Sequence, residues 1–344
     1  MVKDRTIIIA EAGVNHNGSL AMALRLVEAA AEAGADYVKF QTFRAENLVT
    51  AGAAKAEYQQ KNTGDADSSQ LAMLKALELS EDDFRTIARR CRELGIGFLS
   101  TPFDFESIDF LATLGQDFWK IPSGEITDYP YLCRIAALGQ PVVMSTGMST
   151  LGEVAAAVNV LTTCGLSLED ITLLHCTTMY PTPYADVNLR AMATLASLGV
   201  GAVGYSDHTP GIAVPMAAVA LGAKVIEKHF TLDRTLPGPD HRASLEPDEL
   251  AEMVRNIRQV EAALGTPDKR PTEAERPNIA VARRSIVAAR AIEKGEPFTA
   301  ENLTVKRPAT GLSPMRWTDL IGRTADRPYA PDEPIRLPQS QKNS

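Results

Sequence analysis

Residues 201–232 read "GAVGYSDHTPGIAVPMAAVALGAKVIEKHFTL". An apolar run ends in the polar group Ser206–His208, a segment with helical spacing follows, and a second apolar run ends in Glu227–His229. Apolar runs of strand length that alternate with amphipathic helices are typical of parallel βα units. The stretch therefore predicts strand, helix, strand, with polar side chains where each strand ends.

The same alternation runs through most of the chain. Strand candidates are 6–13, 36–43, 97–103, 118–125, 141–147, 171–178, 201–209 and 224–232, each followed by a helical pattern. Eight such units in about 265 residues fit a (β/α)8 TIM barrel. The alternative is an open doubly wound sheet, which usually has a GxGxxG loop after its first strand, whereas residues 11–18 read "EAGVNHNG".

The composition changes after the last helical pattern. We expect a barrel over 1–265, a charged and proline-rich linker over 266–280, and a small β-rich domain over 281–344. Residues 44–79 are long for a βα loop and are expected to form an excursion over the barrel mouth.

Charge and cysteine content limit the classes of function. A net charge of −8 and a pI near 5.3 argue against nucleic acid or an anionic membrane as the main partner. No apolar stretch is long enough for a membrane span, and no signal-peptide pattern opens the sequence. The four cysteines form no CxxC pair, so we expect reduced thiols and a cytoplasmic protein.

Two lysines lie within otherwise apolar strand candidates. Pointing Lys39 or Lys120 into a barrel would cost free energy unless an anion compensates the buried charge. The alternative is that both side chains point outward or pair with a local carboxylate. Thr101, Ser123 and Ser145 end neighbouring strands and could donate to the same anion. The set predicts a pocket for phosphate or carboxylate at the carboxyl ends of the strands.

Two histidines end adjacent strand candidates. His208 and His229 are 21 residues apart, one βα unit, so their imidazoles could bind one divalent metal, with Glu11 or Asp240 nearby. The alternative for any single strand histidine is a hydrogen-bonded core residue. The other histidines and one cysteine are expected to make loop or structural contacts: His16, His175, Cys176 and His241.

The chain also resembles a known family. In order, it carries "AEAGVNHNG", "VKFQTF", "STPF", "KIPSGE", "STGM", "YPTP", "GYSDHT", "EKHFTL" and "GPDH". These motifs resemble those of the bacterial sialic acid (N-acetylneuraminate) synthases. Residues 282–308, "ARRSIVAARAIEKGEPFTAENLTVKRP", resemble the antifreeze-like (SAF) domain that ends those enzymes.

The resemblance implies a TIM barrel joined to an antifreeze-like domain in a domain-swapped homodimer. It implies a transferase that condenses phosphoenolpyruvate with open-chain N-acetylmannosamine, forming N-acetylneuraminate and releasing phosphate by C–O cleavage. The expected cofactor is a divalent metal, Mn²⁺ or Mg²⁺.

The resemblance also implies roles for individual residues. Phosphoenolpyruvate would be held by Lys39, Thr101, Lys120, Ser123, Ser145 and Ser206, and the metal by His208 and His229. The sugar or the metal-bound waters would be contacted by Gln41, Tyr180, Asp240 and Glu11, and the sugar's N-acetyl group by Arg307 of the partner subunit. Glu125, together with Glu11, is the candidate for catalysis, managing protons or stabilising positive charge at C2.

Other functions remain open at this point. The N,N′-diacetyllegionaminate synthases share almost every motif and take 2,4-diacetamido-2,4,6-trideoxymannose; "KIPSGEITDYPYL" and "CTTMYPTPYADVNLRAM" are at least as similar to that branch. Loops 44–79 and 179–188 would contact the acceptor and distinguish one sugar from the other. A phosphoenolpyruvate barrel for another acceptor would not be expected to carry the antifreeze-like tail. A non-catalytic sugar- or ice-binding protein would have no use for the lysines and the histidine pair.

Overall fold

The computed structural model describes residues 5–50, 52–55, 59–60 and 69–336. The chain divides after Gly265 into two compact units, which are taken separately. No helix within the described ranges is long and apolar enough to cross a bilayer.

The first unit is built on eight strands, β1–β8. They are Ile7–Gly13, Tyr37–Thr42, Gly97–Pro102, Trp119–Ile121, Val142–Ser145, Ile171–His175, Ala202–Asp207 and Val225–His229. All hydrogen-bonded neighbours are parallel, in the order β3-β2-β1-β8-β7-β6-β5-β4. Strands β3 and β4 also pack against each other, which closes the sheet. The predicted TIM barrel is confirmed.

Helices follow every strand. Their bounds are Leu20–Glu32, Ala45–Leu48, Gln70–Leu77, Glu81–Leu94, Phe105–Ala112, Tyr129–Ala136, Leu151–Thr163, Ala191–Ala196, Ala213–Ala220 and Pro247–Leu264. Their ends follow local chemistry: Ser80 and Asp83 form a capping box that begins Glu81–Leu94, and Gly95 ends that helix at a φ of 72°. Within the described part of 44–79, Ala45–Leu48 and Gln70–Leu77 are helical, while 51, 56–58 and 61–68 lie outside the described residues.

The barrel interior has an apolar floor and a polar upper level. Alternate residues of a strand face the same side, so Ile7, Ile9 and Glu11 point inward while Ile8 and Ala10 pack against the helices. The floor consists of Ile7, Ile9, Leu99, Phe118, Val143, Leu174 and Val225. Apolar packing below therefore leaves the carboxyl ends of the strands for polar side chains.

The strand register makes neighbours of the candidate site residues. Glu11 pairs with Lys39 on one side and with His229 on the other, and Ser206 pairs with Glu227. Except for β1, which ends at Gly13 as predicted, the observed strands stop short of the predicted ones at their carboxyl ends; 118–125, for example, becomes Trp119–Ile121 and then a turn at Ser123–Glu125. Ser123, Glu125 and His208 lie past the last ladder pairs of their strands, whereas most of the other candidate residues, such as Glu11, Lys39 and Ser206, lie within the ladder.

The structure corrects the expectation of four reduced thiols. Cys133, in Tyr129–Ala136, is joined by a disulfide to Cys164, which ends Leu151–Thr163; their Cα atoms are 5.3 Å apart. The cysteines are 31 residues apart in sequence. Only the packing of neighbouring barrel helices brings them together, so the missing CxxC pattern could not have revealed the bond.

The second unit is small and rich in turns. Strands β9 (Ser285–Ala288) and β10 (Leu303–Lys306) are antiparallel, and Trp317–Leu320 is a short helix. Its own core consists of Ile286, Ala288, Ile292, Phe298, Leu303, Leu320, Ala325, Tyr329 and Ile335. The expected linker 266–280 is partly helical, since Arg276–Ala282 forms a helix with a proline in its first turn, where proline fits.

Candidate active site

A cavity of about 520 Å³ lies at the carboxyl ends of the barrel strands. It is lined by every candidate site residue of the first unit: Glu11, Lys39, Gln41, Thr101, Lys120, Ser123, Glu125, Ser145, Tyr180, Ser206, His208, His229 and Asp240. Arg307 is absent from the lining; it is exposed and directly follows β10 of the second unit. The barrel therefore brings together side chains from eight separate stretches of sequence.

Lys39 points into the cavity and is paired there. Its Nζ lies 2.6 Å from a Glu11 carboxylate oxygen, 3.7 Å from Glu227, and donates to Thr101 Oγ1 at 3.0 Å. Burial alone would lower the pKa of Lys39, but the two carboxylates more than offset it and raise that pKa. Lys39 is thus a fixed cation whose charge is already balanced by protein groups.

Lys120 is less well compensated. Its Nζ donates to Ser145 Oγ at 2.8 Å and to the carbonyl of Ile121 at 3.3 Å, and the Glu227 carboxylate is 3.8 Å away. Burial lowers the pKa of Lys120 despite that carboxylate. A buried ammonium group with one hydroxyl partner, one carbonyl partner and a carboxylate no nearer than 3.8 Å is suited to an incoming anion.

Further hydroxyl and thiol groups line the same cavity as Lys120. Ser123 Oγ accepts from the backbone N–H of Gly147 at 3.0 Å and lies 3.3 Å from Cys176 Sγ. Cys176, expected to be structural, lines the cavity. The hydroxyls predicted to bind an anion therefore do face the same space.

Glu227 is a site residue that the sequence analysis did not select. It lines the cavity between the two lysines and accepts from Ser206 Oγ at 3.0 Å. Burial would raise its pKa, but Lys120 and Lys39 lower it, so the carboxylate stays ionised. The two-residue period of a strand could have identified Glu227, because Val225, Glu227 and His229 occupy alternate positions of β8 and therefore face the same side.

The two histidines meet over the barrel as predicted. The ring centres of His208 and His229 are 5.4 Å apart, and the Tyr180 ring lies 4.1 Å from that of His208. His208 Nδ1 is 2.6 Å from the carbonyl of Thr177, which can only accept, so the proton is on Nδ1. Burial lowers the pKa of His208 to about 4 and that of His229 well below its usual range.

These observations test whether the pair fits a metal. With Nδ1 of His208 donating to a carbonyl, its Nε2 carries a lone pair, and buried Nδ1 of His229 has no hydrogen-bond partner in the described part of the chain. Neutral imidazoles oriented by a second hydrogen bond are the usual form of metal-binding histidine. Among the described residues no group of three or more His, Cys, Asp or Glu side chains could hold a metal. The pair fits a metal that completes its coordination with oxygen from substrate or water.

Two further carboxyl groups face the cavity. Burial, with the nearby charge of Glu11, raises the pKa of Asp240 to about 7. Burial also raises the pKa of Glu125, which lies on the turn Ser123–Glu125, with Asp128 adding to the effect. Carboxyl groups with raised pKa values are candidates for proton transfer near neutral pH.

Comparison with known proteins agrees with the motifs. The NeuB family model matches residues 26–269 and the SAF domain model matches residues 283–339. The chain is 52% identical to the N,N′-diacetyllegionaminic acid synthase of Campylobacter jejuni over 96% of this chain and 99% of that protein. It is also 52% identical to the enzyme of that name from Legionella pneumophila, over 92% and 89%.

A solved structure shows the same fold. The sialic acid synthetase of Leptospira borgpetersenii superposes with a TM-score of 0.69 at 34% identity, covering 80% of this chain and 90% of that one. The chain therefore belongs to the NeuB family, whose synthases are phosphoenolpyruvate-dependent transferases that form a C–C bond to a sugar.

Proposed function

We propose that this enzyme condenses phosphoenolpyruvate with 2,4-diacetamido-2,4,6-trideoxymannose, giving N,N′-diacetyllegionaminate and phosphate. The supporting observation is the 52% identity, over nearly full length, to two proteins that carry this product in their names. The named sialic acid synthetase is more distant, at 34%. The comparisons thus favour the legionaminic alternative over N-acetylmannosamine as the acceptor.

The cavity wall supports the same choice. One side is apolar and is formed largely by the 44–79 segment; its members are Val14, Phe43, Leu48, Val49, Met73, Leu74, Leu77 and Phe103. The proposed acceptor has a methyl group at C6 and a second acetamido methyl, which such a wall can bury favourably. N-acetylmannosamine instead has hydroxyls at those carbons, and these would lose hydrogen bonds to water against this wall.

The phosphoenolpyruvate anion would bind at the lysine end of the cavity. Lys120 and Lys39 supply charge, and the hydroxyls of Thr101, Ser123, Ser145 and Ser206 supply oriented donors. Because Glu11 already balances Lys39 at 2.6 Å, Lys120 is the cation that gains most from the anion.

His208 and His229 would hold a divalent metal, Mn²⁺ or Mg²⁺, which would polarise the aldehyde oxygen of the acceptor. Gln41, Tyr180 and Asp240 would position the sugar. Gln41 Nε2 donates to Glu11 Oε1 at 3.1 Å, and Glu11 also pairs with Lys39. Gln41, a proposed sugar contact, is thus connected through Glu11 to a lysine of the proposed anion site.

The reaction would then proceed between the bound substrates. C3 of phosphoenolpyruvate attacks the aldehyde carbon, positive charge develops at C2, water adds there, and phosphate leaves by C–O cleavage. Glu125 would take the proton from that water or stabilise the charge at C2, and the proton that the water loses balances the one that the aldehyde oxygen takes up to become a hydroxyl. Glu11 would hold this developing hydroxyl in place.

We also propose a cytoplasmic, domain-swapped homodimer in which the partner subunit's Arg307 contacts the acceptor. The segments that follow β3 to β6 expose large apolar side chains: Phe105, Tyr129, Met148, Met179 and Tyr184. Exposed apolar side chains after four neighbouring strands are consistent with a surface that a partner covers. Disulfides rarely persist in a reducing cytoplasm, so the proposed location predicts that Cys133 and Cys164, which are bonded in the structure, are reduced in the cell.

The test is phosphate release from phosphoenolpyruvate with Mn²⁺ and each of the two sugars, with parallel reactions containing EDTA. We expect the 6-deoxy diacetamido sugar to give at least a tenfold higher kcat/KM and EDTA to abolish turnover. Equal or greater turnover with N-acetylmannosamine would refute the acceptor, and undiminished turnover in EDTA would refute the metal.

A further inference from the structure

A buried ion pair lies behind the barrel wall, next to the histidines. Asp207 ends β7 and is the register partner of Lys228 in β8, and neither side chain is exposed. Because alternate strand residues face opposite sides, this pair points away from the cavity lined by Ser206 and Glu227. Nothing in the proposed chemistry uses it.

The pair holds one residue by its backbone on both sides. Lys228 Nζ is 2.5 Å from Asp207 Oδ2 and also donates to the carbonyl of Thr209. Asp207 Oδ1 accepts from the backbone N–H of Thr209 at 3.0 Å, and Oδ2 accepts from its hydroxyl at 3.0 Å. The hydroxyl of Tyr205 completes the shell around the carboxylate at 3.0 Å.

The held residue adjoins one histidine and the lysine adjoins the other. Thr209 directly follows His208, and Lys228 directly precedes His229. The β7–β8 ladder ends at the pair Asp207 and Lys228, so no ladder hydrogen bond fixes His208 relative to His229. Beyond the last ladder pair, the ion pair provides the connection between the two strands, because it bonds the backbone of Thr209 to Lys228 and Asp207.

Stability alone is a weak reason for such a pair. Buried ion pairs are often no more stabilising than apolar residues of similar volume, because desolvation of both charges offsets their attraction. An apolar pair could not form hydrogen bonds to the backbone N–H and carbonyl of Thr209, as this pair does. The contacts are therefore better matched to fixing a position than to adding stability.

We propose that Asp207 and Lys228 are a positioning pair that sets the separation of the His208 and His229 imidazoles and thereby the affinity of the site for a divalent metal. This rests on the metal role given to the histidines under the proposed function. Neither residue of the pair would touch the metal or the substrates.

The experiment measures Mn²⁺ binding to the substrate-free, full-length protein by the electron paramagnetic resonance signal of free Mn²⁺, alongside urea unfolding of each variant. Asp207→Asn and Lys228→Met should weaken the Mn²⁺ Kd by about 10- to 100-fold, the range for residues that orient metal ligands. Thr209→Val, a milder change that removes only the hydroxyl contact, should weaken Mn²⁺ binding measurably but less than the charge variants do, and it serves if those variants fail to fold.

Two controls separate positioning from general stability. Tyr205→Phe removes a hydrogen bond to the same carboxylate but leaves the contacts to Thr209, so its Kd should equal that of the wild type. Leu161→Ala opens a cavity under an outer helix and should lower stability without changing the Kd.

The proposal is overturned if the Asp207, Lys228 and Thr209 variants lose stability but bind Mn²⁺ like the wild type, or if Leu161→Ala weakens binding as much as they do. It is also overturned if the wild type binds no Mn²⁺ in this assay. Mn²⁺ binding that responds as expected, in a protein that turns over neither sugar, would leave the positioning pair standing and refute the proposed substrates.

Discussion

Replacing each cavity lysine by methionine should separate two roles that look alike in the sequence. Lys39→Met leaves the buried Glu11 carboxylate without its 2.6 Å partner, and breaking a buried pair in this way costs about 3–5 kcal/mol of unfolding free energy. Lys120→Met removes a cation 3.8 Å from the Glu227 carboxylate, and this carboxylate keeps Lys39 at 3.7 Å as a second partner. Burial already lowers the pKa of Lys120, so we expect Lys120→Met to lower the unfolding free energy by less than Lys39→Met does.

Catalysis should show the opposite sensitivity for Lys120. A unit charge about 4 Å from a substrate anion contributes about 4 kcal/mol at an effective dielectric constant of 20. Since about 1.4 kcal/mol is a factor of ten, kcat/KM for phosphoenolpyruvate should fall about 10³-fold in Lys120→Met.

The assays are urea unfolding of both variants and initial rates of phosphate release over a range of phosphoenolpyruvate concentrations. Equal loss of stability in the two variants would contradict the assignment of Lys39 as the protein-balanced cation. A fall of less than tenfold in kcat/KM for Lys120→Met would contradict the anion-binding role of Lys120.

Three further predictions concern other parts of the barrel. Burial lowers the pKa of His16 to about 4, so its contribution to stability is complete above about pH 6.5 and is lost as the pH falls toward 4; by pH 5 the loss is about 2 kcal/mol. In urea unfolding, His16→Asn should flatten the dependence of the unfolding free energy on pH over that range by this amount, and an unchanged dependence would contradict the prediction. Met73→Gln places a polar group in the apolar wall and should lower kcat/KM for the 6-deoxy sugar about tenfold. Leu71→Gln, on the same helix but outside the cavity lining, should leave kcat/KM unchanged, and equal effects of the two variants would refute the wall as the acceptor contact. Glu125→Gln should lower kcat about 100-fold or more with little change in the KM for phosphoenolpyruvate, and should remove from the pH–rate profile an ionisation that burial places above the ordinary carboxyl pKa; a profile identical to that of the wild type would exclude Glu125 from proton transfer.

The sequence by itself determined the fold and the general position of the site. Strand and helix periods are local properties of the chain, and their alternation from Ile7 to His229 is enough to predict the barrel. Because parallel strands of a barrel all end at one face, the polar residue that closes each strand could be assigned to a common cavity. Lys120, Ser145 and His208 were found in this way, and the cavity contains them.

The tertiary structure alone decided which of these groups are partners. Glu227 lies between two lysines that are distant in sequence, and Asp207 pairs with Lys228 behind the wall while Ser206, one residue earlier, faces the cavity. The bond between Cys133 and Cys164 likewise depends on the packing of two helices. Charge pairing falls off over a few ångströms, and distances of that size between remote residues are fixed only when the barrel closes.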